Sequence, residues 1–354
     1  MKATIIGFPQ SGKSTLFNAV TNIKPDPAQM PQEQMAMVHV PDPRINRLVE
    51  ICKPKKTTYA NIEFVDIPGV SMADAHGRAE FAKHMPSIRK SDVLVIVVRD
   101  FKNPSVPEYR NRIDAMGDLA DMHEELMFAD LDAVTKRIEK LEKAKNKPTK
   151  TQEQDKKELA ILQRCAEALE SSKPLSTVVH SEEDARAIAS FAFVTEKPAI
   201  AVFNVDDDRA AEAIGNVPEN FHSAFPLCAD IEAQITELDD EDKATFLADI
   251  GVEEPARDRL IRSCYDAMNL MSFLTMGPDE VRAWTIPKGT HAVDAAGKIH
   301  SDLARGFIRA ETVAYADLIE CGDLKGAKAA GKVRQEGKNY VVQDGDILNI
   351  KFNV

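Results

Sequence analysis

Four mainly apolar runs divide the first two hundred residues, and polar or helix-patterned segments separate them. The runs are residues 2–6, 61–66, 92–99 and 199–204. An apolar run without strict alternation is typical of a parallel strand that is covered on both faces. Strands that alternate with helices, such as the helix expected over residues 14–20, predict a doubly wound α/β sheet. Such sheets bind their ligands at the carboxyl ends of the strands.

An insert with helical periodicity interrupts this pattern over residues 118–173. Its apolar side chains recur at spacings of three and four, and they are Leu119, Met122, Leu126, Ala129 and Ala133, then Leu159, Leu162, Ala166 and Leu169. Between these two groups, residues 143–157 hold six lysines, one glutamate and one aspartate, and a single alanine is their only apolar side chain. The pattern predicts an antiparallel helical hairpin with a polar tip. The tip is either a solvated loop or a surface that contacts RNA.

Short apolar runs separated by Gly and Asp turns distinguish the C-terminal part of the chain. After a helical, acidic stretch at 237–273, we predict strands over 280–286, 311–317 and within 332–354, and one helix over 295–308. The chain therefore divides into three predicted parts. They are an α/β domain of residues 1–117 and 174–277, the hairpin of residues 118–173, and a small α+β domain of residues 278–354.

Length and charge agree with more than one domain. The chain has 354 residues, and single hydrophobic cores stop growing near about 250–300 residues. The net charge of −12 argues against wrapping of nucleic acid by the whole chain. The charge is uneven, because residues 280–354 hold 11 Lys and Arg against 10 Asp and Glu, whereas the first 279 residues hold 34 against 47. The C-terminal domain therefore presents a different surface from the rest.

The sequence gives no sign of a membrane or a secretory route. No apolar run reaches the roughly 18 residues of a membrane-spanning helix, and the first strand leads directly into the motif described next, without a signal peptide. The five cysteines are scattered and form no CxxC pair, which favours buried, reduced thiols over disulfides or a zinc site. We expect a cytoplasmic protein.

A phosphate-binding loop follows the first strand. Residues 7–15 read GFPQSGKST and match G-x-x-x-x-G-K-[ST], with a strand before and a helix after the motif, as its function requires. The backbone of such a loop surrounds the phosphates, Lys13 would bridge the β- and γ-phosphates, and Ser14 would bind Mg²⁺. The residues that we expect to contact the nucleotide here are Gly7, Pro9, Gln10, Ser11, Gly12, Lys13, Ser14 and Thr15.

The second apolar strand ends in an acidic residue, within the sequence FVDIPGV at 64–70. A carboxylate in this position holds Mg²⁺ in phosphate-loop enzymes, so Asp66 is the second predicted metal ligand after Ser14. Gly69 offers a backbone N–H to the γ-phosphate and a hinge for a switch segment. We therefore predict that Lys13, Asp66 and Gly69 take part in phosphoryl transfer.

The base of the nucleotide is expected at the end of the fourth strand. The sequence FNVDDD at 203–208 lies where GTPases place N-K-x-D, whose aspartate accepts two hydrogen bonds from guanine. Here Asn204 and Asp207 keep the amide and the acid, and Val205 replaces the lysine. Cys228 and Ala229 would form the last base loop, with the Ala229 N–H directed at the purine.

Taken together, these motifs resemble those of the Obg-like ATPase family of the YchF type. The resemblance rests on GFPQSGKSTLFNAVT, IEFVDIPG, FNVDD, ADIEAQITELDDED and, most specifically, the C-terminal EVRAWTIPKGT and GKVRQEGKNYVVQDGDILNIKFNV. It implies a GTPase-type P-loop domain, an inserted helical hairpin and a β-grasp-like TGS domain. It also implies Mg²⁺-dependent hydrolysis of ATP or GTP, with ATP preferred, in a monomer. As partner it implies the ribosome, at the large subunit or the intersubunit region, with RNA contacts through the TGS domain and the hairpin tip.

The base motif departs from the family pattern, which is usually N-x-x-E. A short carboxylate at Asp207 suits guanine, whose N1 and N2 donate hydrogen bonds, whereas adenine N1 is an acceptor and would repel it. The residues themselves therefore favour GTP, and the resemblance favours ATP. We leave both nucleotides open, with ATP slightly ahead.

Groups that assist hydrolysis are also missing. No Ser or Thr occurs from Asn22 to Lys56, where the family carries a threonine that binds Mg²⁺ in the first switch. Val70 stands where Ras-like GTPases have a water-orienting glutamine, and residues 101–110 lack the histidine that the family is thought to use instead. His76 and His84 are the nearest replacements, although exposed switch residues without a catalytic role are the simpler interpretation.

Two functions remain open from the sequence. One is a slow nucleoside triphosphatase whose nucleotide state alters its binding to the ribosome. The other is a ribosome or RNA adaptor that binds nucleotide but is impaired in hydrolysis. The intact Gly12, Lys13, Ser14 and Asp66 favour the enzyme, and the missing switch threonine favours the adaptor.

Overall fold

The computed structural model describes residues 1–23, 32–144, 152–212, 214, 220–236, 238–249, 252 and 254–353. The chain forms two compact units. The N-terminal unit consists of Met1–Ala36 and Glu63–Pro255, and the C-terminal unit consists of Met37–Ile62 and Ala256–Val354. The chain therefore passes from one unit to the other after residues 36, 62 and 255.

Strands and helices alternate along most of the described chain. The strands are β1 Lys2–Ile6, β2 Gln34–His39, β3 Lys56–Thr58, β4 Asn61–Asp66, β5 Val93–Asp100, β6 Ala199–Val205, β7 Ser223–Leu227, β8 Leu270–Met276, β9 Glu280–Pro287, β10 Phe307–Ala314, β11 Arg334–Glu336 and β12 Asp346–Phe352. The helices are α1 Lys13–Thr21, α2 Pro43–Cys52, α3 Ala75–Ile88, α4 Ala115–Ala144, α5 Gln152–Glu170, α6 Glu182–Ile188, α7 Ala229–Ile235, α8 Asp240–Asp249, α9 Ala256–Ala267, α10 Ala292–Ile299, α11 Ser301–Arg305, α12 Tyr315–Cys321 and α13 Leu324–Ala329.

Five parallel strands organise the N-terminal unit, and they follow the order β4-β1-β5-β6-β7. The register places Ile5 beside Asp66 and Asp100 beside Val205, so neighbouring strands end at the same edge. All four predicted strands are confirmed. β7 was not predicted, because its sequence SAFPL carries Ser and Pro and lacks the long apolar run of a central strand. The predicted fold class, a doubly wound α/β sheet with a second α+β domain, is confirmed.

Two long helices form the hairpin of the N-terminal unit. Buried side chains such as Val134, Leu141 and Leu162 pack between α4 and α5, and Arg137 donates to both oxygens of Glu158 at 2.7 Å. The helices extend into the stretch that was predicted to be a polar tip, because Lys, Glu and Gln favour helix even without apolar neighbours. The remaining tip, residues 145–151, lies outside the described residues.

The sheet of the C-terminal unit has the order β11-β10-β12-β8-β9-β3. β8 and β9 form an antiparallel hairpin, β12 runs parallel to β8 between it and β10, and α10 contributes Ala292, Ala295 and Ala296 to the core. This is the β-grasp arrangement that the resemblance implied.

Two predicted elements of the C-terminal unit were wrong in their limits. The helix expected over 295–308 is interrupted at His300, whose backbone is extended at φ −163°, and β10 already begins at Phe307. The strand expected over 311–317 ends at Ala314, and α12 begins at Tyr315. Alanine-rich sequence favours helix on both sides of β10. The limits of the strand are therefore set by its pairing with β12.

Residues 37–62 belong to the C-terminal unit, although they precede β4 in the chain. β3 pairs in parallel with β9, and Arg44 forms an ion pair with Asp344 at 2.7 Å. This grouping differs from the predicted boundary at residue 278, since it adds residues 37–62 and the segment from Ala256 to the C-terminal unit. No local pattern in residues 37–62 identifies the strand that they join.

The described residues offer no helix that is both long and apolar enough to cross a membrane. All five cysteines are described, and each is a free thiol. Cys165, Cys228 and Cys264 are buried, as expected for thiols that pack in a core, whereas Cys52 and Cys321 are half-buried.

Candidate nucleotide site

The phosphate loop connects β1 to α1 and depends on close backbone approaches. Gly12 has φ 87° and forms the N-terminal cap of α1, and a Cβ atom there would lie 2.1 Å from Nδ2 of Asn204. A Cβ at Gly7 would lie 2.4 Å from the Val97 carbonyl oxygen. A side chain would therefore clash at both motif positions, each with a different neighbour. At Gly12 the left-handed backbone is a further reason for glycine.

Lys13 is buried against the segment that follows β4. A Cβ at Gly69 would lie 2.3 Å from Nζ of Lys13 and 3.2 Å from Cα of Pro9. Burial lowers the pKa of Lys13, and the nearby Asp66 carboxylate opposes that shift. The structure thus places the loop lysine, Pro9 and Gly69 next to one another.

Ser14 and Asp66 meet beside this lysine. The Ser14 hydroxyl donates to Oδ2 of Asp66 at 2.6 Å. Asp66 is only 4 % exposed, and its Oδ1 atom is buried with no hydrogen-bond partner within the part of the chain that the structure describes. Burial raises the pKa of Asp66, while the Ser14 hydrogen bond and the charge of Lys13 oppose the rise.

These oxygens fit a small divalent cation. A hydroxyl and a buried carboxylate with one unpartnered oxygen are ligands that Mg²⁺ prefers. Over the described ranges, no group of three or more His, Cys, Asp or Glu side chains could hold a metal ion by itself. A cation at Ser14 and Asp66 would therefore need further oxygens from water and from nucleotide phosphates, which is how Mg²⁺ binds in phosphate-transferring enzymes.

Asn204 connects three parts of the site. Its Nδ2 donates to the Ser11 carbonyl oxygen at 3.0 Å, and its Oδ1 accepts the Ala229 N–H at 3.0 Å. Both bonds are buried. They join the phosphate loop, the end of β6 and the start of α7, so this asparagine holds three parts of the candidate site together.

A cavity of about 850 Å³ opens at the carboxyl ends of β5 and β6. Predicted residues that line it are Gln10, Gly12, Thr15, Asn204, Val205, Asp207 and Cys228. Residues that the sequence analysis did not predict also line it, among them Phe101, Lys102, Asn103, Val106, Asp206, Asp230 and Gln234. The position of residues 101–106 directly after a central strand was the signal that could have identified them, because ligands bind at that edge of the sheet.

Comparison with known proteins identifies the family. A family model described as 50S ribosome-binding GTPase matches residues 2–205, and a YchF GTPase C-terminal model, described as a protein of unknown function, matches residues 270–353. The ribosome-binding ATPase YchF of Bacillus subtilis (strain 168) is 40% identical over 371 residues, which span 100% of both chains. That of Escherichia coli O157:H7 is 38% identical over 363 residues, covering 100% of this chain and 99% of the relative. The chain belongs to the YchF family.

The solved structures agree. The Schizosaccharomyces pombe YchF GTPase superimposes with a TM-score of 0.80 at 28% sequence identity, over 99% of this chain and 97% of that chain. The resemblance drawn from the motifs is thus confirmed over the full length of the chain. The matched length includes the base motif, in which this YchF chain departs from the GTPase pattern.

In this YchF chain, Arg99 at the end of β5 organises the loop that lines the cavity. Its guanidinium donates to the carbonyl oxygens of four loop residues at 2.9–3.5 Å, and these are Phe101, Asn103, Val106 and Pro107. The side chain is 4 % exposed, and it lies 4.5 Å from the centre of the Phe101 ring. These carbonyl groups are thus hydrogen-bonded by a buried guanidinium rather than by the backbone N–H groups of a helix or sheet.

The loops of β5 and β6 are also joined to each other. Both carboxylate oxygens of Asp206 accept the Lys102 N–H, at 3.1 and 3.2 Å. Arg209 donates to the Asp100 carbonyl oxygen at 3.0 Å and to its carboxylate at 2.9 Å. The two sides of the cavity are therefore held in one arrangement.

The residues predicted to distinguish the base differ in their surroundings. Val205 is 2 % exposed and lines the cavity, and it lacks the long side chain with which a lysine would cover a base. Asp207 is exposed, and its Oδ1 accepts the Asp208 N–H at 3.0 Å. One carboxylate oxygen of Asp207 thus has a partner in its own turn.

The two histidines considered as replacements for the missing catalytic group, His76 and His84, both lie in α3. Nδ1 of His84 lies 2.9 Å from Oε1 of Glu33, and His76 is exposed in the first turn of α3. The Val70 side chain is half-buried against an apolar cluster that includes Phe8 and Met72. Of the 22–56 segment without Ser or Thr, residues 24–31 lie outside the described part of the chain.

Proposed function

We propose that this YchF chain is a Mg²⁺-dependent nucleoside triphosphatase, with ATP ahead of GTP, whose nucleotide state governs its association with the ribosome in the cytoplasm. The observation that carries the proposal is the Ser14–Asp66 pair at 2.6 Å beside the buried Lys13. A buried carboxylate oxygen without a partner destabilises the free protein. A cation and a triphosphate at this place would offset that loss.

Each residue of the phosphate end has a defined role in the proposal. Lys13 neutralises charge between the β- and γ-phosphates, and the backbone N–H groups of the loop surround the phosphates at the start of α1. Ser14 and Asp66 would hold Mg²⁺, which would neutralise charge on the phosphate oxygens during transfer. The Gly69 N–H donates to the γ-phosphate in this proposal, and a Cβ at this position would crowd Nζ of Lys13 at 2.3 Å and Cα of Pro9 at 3.2 Å.

In this proposal the base occupies the cavity between the loops of β5 and β6. Two atoms of Asn204 already hold the Ser11 and Ala229 backbone. Its remaining N–H would not distinguish the two purines if it donated to N7, which is an acceptor in both adenine and guanine. Discrimination between adenine and guanine therefore depends on Asp207 and on the backbone around Cys228 and Ala229. The names of the bacterial relatives favour ATP, and the carboxylate of Asp207 favours guanine.

Hydrolysis is expected to be slow. The sequence lacks the switch threonine, and Val70 packs in an apolar cluster. Phosphate-loop enzymes without a supplied catalytic charge turn over on the order of 10⁻⁴ to 10⁻² s⁻¹. The same two features support the alternative function, an adaptor that binds nucleotide without hydrolysing it.

Ribosome association is proposed from the relatives, which are named ribosome-binding ATPases. In this chain the C-terminal β-grasp unit and the lysine-rich hairpin tip are the proposed contact surfaces, at the large subunit or the intersubunit region. The excess of acidic residues lies in the first 279 residues, so the last 75 are better suited to RNA. We propose a monomer.

Phosphate release with saturating Mg²⁺–ATP and Mg²⁺–GTP tests the enzymatic part. We expect measurable turnover that the Lys13→Ala substitution abolishes. Lys197→Ala is the matched control, because burial also lowers the pKa of Lys197 and its ammonium donates to the Ser91 carbonyl oxygen, away from the cavity. Equal phosphate release by wild type and Lys13→Ala would exclude hydrolysis and leave the adaptor.

Calorimetric titration with non-hydrolysable ATP and GTP analogues tests the base preference. If Asp207 reads guanine, the Asp207→Asn substitution weakens the GTP analogue much more than the ATP analogue. Equal weakening of both would mean that the carboxylate does not contact the base.

Co-sedimentation with ribosomes at low and high salt tests the partner, and no co-sedimentation at low salt, with or without nucleotide, would contradict ribosome association.

A further inference from the structure

Tyr109 links the phosphate loop to the segment that follows Gly69. Its ring stacks on Phe8 of the loop, with centroids 5.0 Å apart and planes 19° apart. Its hydroxyl oxygen accepts the backbone N–H of Met72 at 3.1 Å. One side chain thus contacts both parts of the chain that surround the proposed γ-phosphate position.

Further contacts join the same two parts of the chain at the phosphate end of the site. Gly69 lies against Lys13 and Pro9, and Val70 and Met72 pack in the apolar cluster that contains Phe8 and Tyr109. The backbone from Gly69 to Met72 is therefore held at one end by the phosphate loop and at the other by the Tyr109 hydroxyl. Loss of that hydroxyl would free the Met72 N–H without removing any apolar contact.

The backbone next to Tyr109 is strained. Arg110 and Asn111 both adopt left-handed conformations, with φ 57° and φ 53°, and an arginine rarely takes this conformation because its Cβ crowds the following carbonyl oxygen. The Arg110 guanidinium pairs with Asp121 and lies 5.1 Å from the Tyr109 ring centre. Strain of this kind persists only where surrounding contacts impose it, and it is concentrated at functional sites.

Arg99 fixes the start of the same segment. Two of the carbonyl oxygens that it holds belong to Val106 and Pro107, at 3.1 and 2.9 Å, shortly before Tyr109. The tyrosine therefore extends from a rigid attachment on β5, which a residue needs if it is to hold another segment in place.

We propose that Tyr109 is a positioning residue for triphosphate hydrolysis, whose hydroxyl fixes the Met72 amide and thereby the backbone of Gly69. Val70 offers no polar side chain to orient water, so the precision of this site depends on how the switch backbone is held. The proposal rests on the proposed hydrolase function. It assigns Tyr109 no contact with the substrate.

The Tyr109→Phe substitution tests this role, because it keeps the ring on Phe8 and removes only the hydroxyl. We expect kcat for Mg²⁺–ATP to fall about 2- to 12-fold, the kinetic equivalent of one neutral hydrogen bond. KM should stay unchanged, since Tyr109 does not line the base cavity. Tyr59→Phe is the matched control, because it also removes one tyrosine hydroxyl, which donates to Asn46 at 2.7 Å, and it should leave kcat unchanged.

Hydrogen exchange of the Met72 amide gives a readout that does not depend on activity. We expect faster exchange in Tyr109→Phe than in wild type, in the nucleotide-free protein and with a non-hydrolysable ATP analogue. Unchanged kcat, or a rise in KM at constant kcat, would overturn the proposal. Wild-type turnover no higher than that of Lys13→Ala would instead refute the hydrolase function, and the exchange experiment would then decide alone whether Tyr109 holds the switch.

Discussion

Replacement of Gly12 by alanine tests the connection between the phosphate loop and the base loops. The added Cβ would lie 2.1 Å from Nδ2 of Asn204. Real Cβ contacts at van der Waals distance are near 3.4 Å or longer, so the amide must move by more than 1 Å. That movement breaks its bond to Ser11 at 3.0 Å and disturbs its bond from Ala229 at 3.0 Å.

The magnitude follows from two contributions. Alanine at φ 87° costs about 1–2 kcal/mol because its Cβ crowds the following carbonyl in the left-handed region. Two buried hydrogen bonds contribute about 0.5–1.5 kcal/mol each. We therefore expect Gly12→Ala to lower the free energy of unfolding by roughly 2–5 kcal/mol, and nucleotide affinity should fall as well because the same bonds align the loops.

Gly289→Ala separates the two contributions. Gly289 has φ 88°, almost the value of Gly12, and a Cβ there would meet no atom within 4 Å. It should lose only the backbone part, about 1–2 kcal/mol. Native-state hydrogen exchange measures the opening free energy of each unit separately, which matters because the two glycines lie in different units.

Two results would refute this reasoning. The first is an equal loss of stability in Gly12→Ala and Gly289→Ala, which would show that the clash with Asn204 costs nothing. The second comes from the double variant Gly12→Ala with Asn204→Ala, in which the clash is removed. Its loss should be smaller than the sum of the two single losses, and strict additivity would mean that the two residues are not coupled.

Two further substitutions test the charged groups of the site. Burial raises the pKa of Asp66 above its ordinary 3.8, so stability that is present below that value is lost as the pH rises through the raised pKa. Asp66→Asn avoids this loss. Its thermal midpoint, measured without nucleotide and with EDTA, should exceed that of wild type by a margin that grows from pH 4 to pH 7, while hydrolysis falls. A constant margin would contradict ionisation of Asp66 as the cause. Arg99→Gln should weaken a non-hydrolysable ATP analogue about 10-fold, or ~1.4 kcal/mol, and inorganic tripolyphosphate much less, because the loop that Arg99 holds lines the cavity proposed for the base. The control Arg89→Gln removes an arginine that also holds backbone carbonyl oxygens, of Phe191 and Ala129, and equal weakening of both ligands by Arg99→Gln in calorimetry would contradict the proposed role.

Much of the nucleotide site could be predicted because its groups are local in the sequence. The phosphate loop needs Gly12, Lys13 and Ser14 in consecutive positions, since one turn of backbone must surround the phosphates. Asp66 could be predicted because an acidic residue at the end of a buried strand lies at the ligand edge of a parallel sheet. The alternation of strands and helices indicated the sheet that brings β1 and β4 together.

Other contributions to the site have no local signature. Arg99 reads as the last residue of an apolar strand, and nothing in the sequence indicates that it binds four carbonyl groups of the following loop. Tyr109 lies 37 residues from Met72 in the chain, and their hydrogen bond exists only because the sheet places both near Phe8. Side chains that act on distant backbone leave no periodicity to detect.

The sequence by itself determined the fold class and the family of this protein and identified the candidate groups at the phosphates, because each depends on residue types at short spacing. Only the tertiary structure decided that residues 37–62 join the C-terminal unit, where β3 pairs with β9 and Arg44 binds Asp344. The physical reason is the same in every case. Pairing of strands and ions across two hundred or more residues depends on packing of the whole chain, which local patterns do not encode.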